Sequence, residues 1–175
     1  MDKRSAKIVS DRMLRVDQAG EYGATRIYAG QLAVMGNRAP GSGEIAGMAA
    51  AEAEHRQVFD ALIAQRGVRP TLLQPVWSAA GFALGAATAL MGPEAAMACT
   101  AAVETEIERH YSEQLEELGA DDPELAAHIA KFRDEEREHH DAAIAGGAER
   151  APAYALLSGV IRLGCRLAIK VSERI

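Results

Sequence analysis

Nowhere along this chain do apolar and polar residues alternate as a half-buried strand would require. Apolar residues come instead in long stretches, broken by turn and capping signals that divide the chain into six helices. The first runs from about Ser10 to Met35 and stops at Gly36-Asn37, leaving residues 1–9 as a flexible N-terminal tail. The second runs from about Glu44 to Gln65 and stops at Gly67, with Pro70 beyond. The third lies within Thr71–Met91. The fourth opens at Pro93, a favourable first helical position, with Glu94 in its first turn, and ends at Gly119. The fifth has Asp122 as its N-cap and Pro123 next, and ends near Gly146-Gly147. The sixth runs from about Pro152 to the C-terminus.

The third helix is the one whose setting the pattern leaves open. No charge occurs over the 24 residues from Pro70 to Pro93, a length that can cross a bilayer. Gln74, Pro75, Ser78, Thr88 and several glycines dilute its hydrophobicity, which favours a buried or membrane-facing helix over a span.

Composition agrees with an all-α protein. Apolar residues make up 49% of the chain but aromatics only 5%, and alanine is abundant. The length of 175 residues suits one domain, 1–175, with a sizeable core. The net charge of −6 argues against a nucleic-acid partner, which would call for a basic face. The charge is uneven, however: Arg162, Arg166, Lys170 and Arg174 recur every fourth residue in the last helix. Such a stripe reads as an interfacial helix drawn to anionic headgroups, with a solvated helix edge as the plainer reading. Cys99 and Cys165 form no CxxC pair and read as small buried side chains in a reducing compartment. The N-terminus lacks the apolar core of a secretory signal and makes a poor transit peptide.

The chemistry lies in a doubled pattern. E-x-x-H occurs at Glu52–His55 and again at Glu136–His139, and residues i and i+3 share one helix face. Alone, one such pair is as well explained by a solvated face, since chance gives about half of one in a chain of this composition. The repeat changes this. Glu21 precedes Glu52 by 31 residues, and Glu104 precedes Glu136 by 32. Each half is thus a helix with one Glu, a turn, and a helix with E-x-x-H, with Arg66–Pro93 as the long crossover between them. Four-helix di-iron proteins use this ligand set. Small residues flank Glu21, and Thr100-Ala101-Ala102-Val103 leads into Glu104; a carboxylate in such surroundings is costly unless paired or bound to metal. Four carboxylates and two imidazoles suit two ferrous ions per chain. Glu52 and Glu136 are the natural bridges, Glu21 and Glu104 the terminal ligands, and His55 and His139 bind one ion each. Asp17, Asp134 and Asp141 are candidates to orient the imidazoles. His110 and Tyr111, soon after Glu104 on the same helix, are candidates for proton handling or substrate contact, although ordinary core or surface packing is the favoured reading of both.

These stretches also resemble a known family. Arg12 through Ala24 (RMLRVDQAGEYGA), Gly81 through Ala86 (GFALGA), Ala96 through Glu104 (AMACTAAVE), Lys131 through Asp141 (KFRDEEREHHD) and the ending APAYA … SER are similar to the demethoxyubiquinone hydroxylases of ubiquinone biosynthesis. The resemblance runs in order from Arg12 to Ile175, and the family's iron ligands fall on Glu21, Glu52, His55, Glu104, Glu136 and His139. Gln18 departs from it, since many relatives have His there. The resemblance implies a ferritin-like four-helix bundle with a crossover helix and an added C-terminal helix. It implies O2-dependent hydroxylation of a demethoxy polyprenyl benzoquinol, the penultimate step to ubiquinol. It further implies a homo-oligomer, a peripheral place on the inner membrane (cytoplasmic face in a bacterium, matrix face in a eukaryote), and a lipid-binding partner protein of the same pathway. An iron-oxidising storage protein shares the fold but leaves the uncharged crossover and basic tail unexplained. A tRNA-modifying hydroxylase conflicts with the negative charge, and a lipid carrier needs no metal ligands.

Overall fold

In the computed structural model, which describes residues 2–174, helix α1 spans Lys3–Met35. Its start is set by Asp2, whose carboxylate accepts hydrogen bonds from the backbone N–H groups of Arg4 (2.9 Å) and Ser5 (3.0 Å). The helix therefore begins seven residues before the expected Ser10, and the segment read as a tail is helical from Lys3. The apolar pattern missed this turn because residues 3–9 are mostly exposed and carry no buried face. Helix α2 (Ser42–Arg66) returns alongside α1 and stops at Gly67, whose left-handed φ of 65° lets its N–H reach back to the carbonyls of Ile63 and Ala64. Helix α3 (Gln74–Leu90) follows, then α4 (Pro93–Leu118) and α5 (Pro123–Ala145), the last capped by the Asp122 carboxylate on Leu125 N–H. A single 3-10 turn, Ala148–Arg150, leads into α6 (Tyr154–Ser172).

The α1–α2 and α4–α5 hairpins form a four-helix bundle, with α3 laid on α1 and α6 laid on α4. One apolar cluster gathers Met13, Leu14, Phe59, Leu125 and Phe132; a second gathers Tyr28, Ile45, Met48 and Met97. Alanines 95, 96, 98, 101 and 102 of α4 are all buried, which brings neighbouring helices close.

The crossover packs as backbone on backbone. A Cβ built on Gly85 would lie 1.9 Å from the Ile27 carbonyl oxygen, and one on Gly30 would lie 2.2 Å from that of Phe82. Neither carbonyl belongs to a side chain that can move aside. Gly85→Ala is therefore expected to cost about 1–3 kcal/mol through overpacking. In a chain of this size that lowers the melting temperature by roughly 2–12 °C. An unchanged thermal melt would mean that α3 is not held this tightly.

Helix α3 has 17 residues, and among the described residues no helix is long and apolar enough to cross a membrane. Only Gly81, Gly85, Thr88 and Ala89 of α3 are buried, all on its inner side; Val76, Leu90 and Met91 are exposed.

Helix α6 is turned inside out. Arg162 and Arg166, expected to face outward in the basic stripe, point inward onto Glu106 of α4 at 2.6 Å and 2.8–2.9 Å. Arg109 adds a third guanidinium at 2.9 Å. Glu106 is fully buried among them, and these partners outweigh the effect of burial to hold its carboxyl down to about 2. The stripe is thus split: two of its arginines pin α6 to the bundle through Glu106 while their side chains stay partly open to solvent, and Lys170 and Arg174 are exposed charges outside that contact. The outward face of α6 is apolar, with Leu156, Val160, Leu163 and Leu167 each more than half exposed.

Candidate metal centre

The E-x-x-H pairs lie on α2 and α5, and Glu21 and Glu104 on α1 and α4, so each bundle helix brings its share inward. Two groups of potential ligand atoms result, each lying within 4.8 Å of one another: Glu21, Glu52, His55 and Glu136, and Glu52, Glu104, Glu136 and His139. Glu52 and Glu136 belong to both. All six sequence-selected residues are brought together, and only His139 is more than marginally accessible.

The carboxylates are unpartnered in a way that fits a cation. Oε2 of Glu21, both oxygens of Glu52 and Oε2 of Glu104 are buried without any hydrogen bond. Buried anionic oxygens left so are costly unless a metal takes them. Oxygen and imidazole donors converging from four helices suit iron or manganese rather than a thiolate-seeking metal.

Protonation follows from the same crowding. Burial, and then the charges of Glu136, Glu21 and Glu104, push the Glu52 carboxyl well above its ordinary range. Burial and Glu136 do the same to Glu104, against the pull of a hydrogen bond from Tyr28. Burial also opposes the charged form of Glu136, yet hydrogen bonds from His139 and His55 hold it down to about 2. His55 is raised to about 10: burial lowers it, but bonds to Glu136 and Glu21 prevail.

A pH dependence follows for protein stripped of metal. The stability from His55 is complete below pH 6.5 and is lost as pH rises toward 10. The raised Glu52 and Glu104 act in the same direction, since above pH 4.5 the unfolded chain sheds their protons while the folded site retains them. Glu136 acts oppositely, but its contribution is lost only as pH falls from 4.5 toward 2. Stripped protein should therefore melt at lower temperature as pH goes from 6.5 to 10, while metal-loaded protein, whose ligands are already deprotonated, should change less. Melts followed by circular dichroism across that window check this; a flat profile for stripped protein would contradict the assigned protonation states.

Outside the ligands, two tyrosines cross between the halves. Tyr28 of α1 donates to Glu104 Oε1 at 2.6 Å, and Tyr111 of α4 donates a short hydrogen bond to Glu21 Oε1. Each leaves the second oxygen of its carboxylate free. Tyr111 was a sequence candidate and Tyr28 was missed, although each stands seven residues after its own helix's Glu. The offset extends three residues further. Gln31 donates to the Ala96 carbonyl (3.0 Å), and Gln114 donates to Asp17 (2.7 Å). Reading α1 and α4 as repeats of each other would have found all four.

His110 does not reach the carboxylate cluster. It lies 2.9 Å from the Gln114 amide and 3.5 Å from Asp17. The expected orienting carboxylates differ too. Asp17 pairs with Gln114, Asp134 with Arg133 and Asp141 with His140. The residue that bonds a site imidazole is Glu135, whose Oε2 is 2.8 Å from His55 Nε2. Gln18 lies apart from the cluster and donates to Asp60 at 2.9 Å.

Beside the centre, α1, α3, α4 and α6 enclose an apolar cavity of about 380 Å³. Gly20 and Val103, the chain neighbours of Glu21 and Glu104, line it, together with Ala24, Ile107, Leu84 and Cys165. Both cysteines are free, and burial pushes each thiol up to about 12.

A model of the family described as ubiquinone biosynthesis protein COQ7 matches residues 8–172. The chain belongs to the COQ7 family. Among relatives, it is 56% identical over 165 residues to a 3-demethoxyubiquinol 3-hydroxylase of Rhodospirillum rubrum, covering 94% of this chain and 78% of that protein. It is 53% identical to the human NADPH-dependent 3-demethoxyubiquinone 3-hydroxylase, mitochondrial, covering 94% and 77%. It is 44% identical to a 5-demethoxyubiquinone hydroxylase, mitochondrial, of Saccharomyces cerevisiae, covering 94% and 78%. The membership agrees with the resemblance read from the motifs, and the COQ7 match takes in every ligand candidate as well as Tyr28, Tyr111 and Glu135.

Proposed function

We propose that this chain is an O2-dependent hydroxylase of ubiquinone biosynthesis that adds a hydroxyl group to a demethoxy polyprenyl benzoquinol, the penultimate step to ubiquinol. It is an oxidoreductase working with two iron ions per chain. Glu52 and Glu136, which belong to both candidate groups, would be shared between them, Glu21 and His55 would complete one position, and Glu104 and His139 would complete the other. Held there as ferrous ions, such a pair would supply the two electrons that O2 activation requires.

One observation carries the reading: the bundle holds four buried carboxylate oxygens without hydrogen bonds, and the same helices α1 and α4 also line an apolar cavity through Gly20 and Val103, the chain neighbours of Glu21 and Glu104. The oxygens call for cations, and the cavity calls for an apolar substrate. A storage protein of the same fold would need the first and not the second. The protein's own groups define the site's work. Tyr28 and Tyr111 hold one oxygen of each terminal carboxylate and aim the other inward. Phe59 and Phe132, edge to face at 5.4 Å, close off water at one side. The cavity receives the quinol ring, and the tail leaves between α3 and α6 toward a membrane surface on which the exposed apolar face of α6 rests. The chain acts there as a peripheral protein of the inner membrane, as a homo-oligomer, beside a lipid-binding partner of the pathway.

Expression in a strain deleted for its own hydroxylase tests the reading. Ubiquinone should return and the demethoxy precursor should disappear, and purified protein reconstituted with ferrous iron without air should carry two irons per chain. Restored iron storage without a change in the quinone profile would favour the storage protein instead.

A further inference from the structure

The two halves of the centre repeat each other closely, but not completely. Residues of α5 match residues of α2 at an offset of 84: Glu136 with Glu52, and His139 with His55. At the same offset Glu135 matches Ala51. The difference falls beside an imidazole.

The carboxylate of Glu135 accepts from His55 Nε2–H at 2.8 Å. With that nitrogen occupied, Nδ1 is the one presented to Glu136 (3.1 Å) and Glu21 (3.6 Å). The ring is also stacked on Phe132 at a centroid distance of 4.1 Å, and only 2% of the side chain is exposed. Orientation and burial of His55 are therefore both fixed before any ion binds. His139 differs in each respect. Its Nδ1 faces Glu136 (3.2 Å) and Glu52 (3.3 Å), but among the described residues its Nε2 has no partner, and 12% of the side chain is open to solvent. At the position matching Glu135, α2 carries Ala51, which has no carboxylate to offer.

We infer that Glu135 is a positioning residue that makes the two metal positions unequal, the Glu21–His55 position filling first and the Glu104–His139 position second. The inference rests on the two-ion reading above. A held imidazole loses less freedom on ligation, and a carboxylate on its far nitrogen makes it a stronger donor; removing such a partner costs about 10–100-fold in metal affinity. The position without a partner is the weaker by that margin, and it is the one nearer solvent.

The test is anaerobic titration of the full-length, metal-stripped protein with ferrous iron against a competing chelator. Two resolved phases of one ion each are expected in the wild type, their affinities about 10–100-fold apart. In protein labelled with ¹⁵N-histidine and titrated with Zn(II) as a diamagnetic probe, the His55 ring signals should move in the first equivalent and those of His139 in the second. Glu135→Ala should weaken the first phase until the two merge, with unchanged circular dichroism, since Glu135 is at the rim of the bundle. Glu135→Gln retains an acceptor oxygen and should keep most of the separation. Ala51→Glu should tighten the second phase. Two ions bound with equal affinity in the wild type, or a Glu135→Ala variant that weakens both phases alike, would overturn the inference while leaving two-ion binding intact. Saturation at one ion would instead remove the two-ion reading on which it rests.

Discussion

Glu52→Ala and Glu136→Ala should each abolish hydroxylation while leaving the helical bundle in place. Each carboxylate belongs to both ligand groups, so its loss takes a donor from both positions at once. Loss of a mere outer partner costs about 10–100-fold in affinity or activity, so loss of a shared ligand should exceed that. Stability should move the other way. Glu52 is buried with both oxygens unpartnered and is crowded by Glu136, Glu21 and Glu104. Removing it relieves a desolvated, like-charged cluster, so the stripped variant should melt at or above the stripped wild type. Glu136 is a different case, because it accepts from both His55 and His139. Its removal takes the nearest acceptor from Nδ1 of both imidazoles and should lower the melt of the stripped protein. Iron counts, quinol turnover and thermal melts on the same preparations decide this. Near-normal turnover by either variant with an unchanged fold would sink the bridging assignment.

Membrane docking should depend on the apolar face of α6 more than on its arginines. Val160, Leu163 and Leu167 are 61%, 57% and 56% exposed and share one side of the helix. Fully burying such a side chain is worth about 1.5–3 kcal/mol. Covering the exposed half of three is then worth about 3 kcal/mol, or roughly two orders of magnitude in binding. Replacing all three with Ser should therefore weaken binding to neutral vesicles about a hundredfold. Arg162→Gln with Arg166→Gln should have a different signature. Both guanidiniums engage Glu106, so the double variant strips a buried carboxylate of two partners and should lower the melting temperature. Its direct effect on anionic vesicles should be small, because the exposed charges Lys170 and Arg174 remain. Full vesicle binding by the Ser variant would mean that another surface docks. A hundredfold loss for the double Gln variant, with an unchanged melt, would restore the basic stripe as the docking element.

The sequence by itself determined the helices and singled out the six candidate ligands that the fold brings together. Helix ends are local: Gly36, Gly67 and Gly119 stop their helices because the capping chemistry acts within a turn. The ligand set was legible because E-x-x-H is a short-range spacing and because the chain states it twice, each time behind a lone Glu. The motif resemblance named the family for the same reason, since its signatures are contiguous stretches. What tertiary structure alone decided lies between helices. Whether Tyr28 serves Glu104 or its own helix, and whether Glu135 or Asp134 faces His55, depends on how α1, α2, α4 and α5 are rotated against each other. That rotation comes from packing small residues across the whole bundle, and no local window holds it. Helix α6 makes the point most sharply. Its four-residue stripe of basic residues predicts a charged outer face, since charges ordinarily seek water. Glu106, some 56 residues earlier, reverses the helix by offering Arg162 a buried partner, and so it leaves the leucines outside.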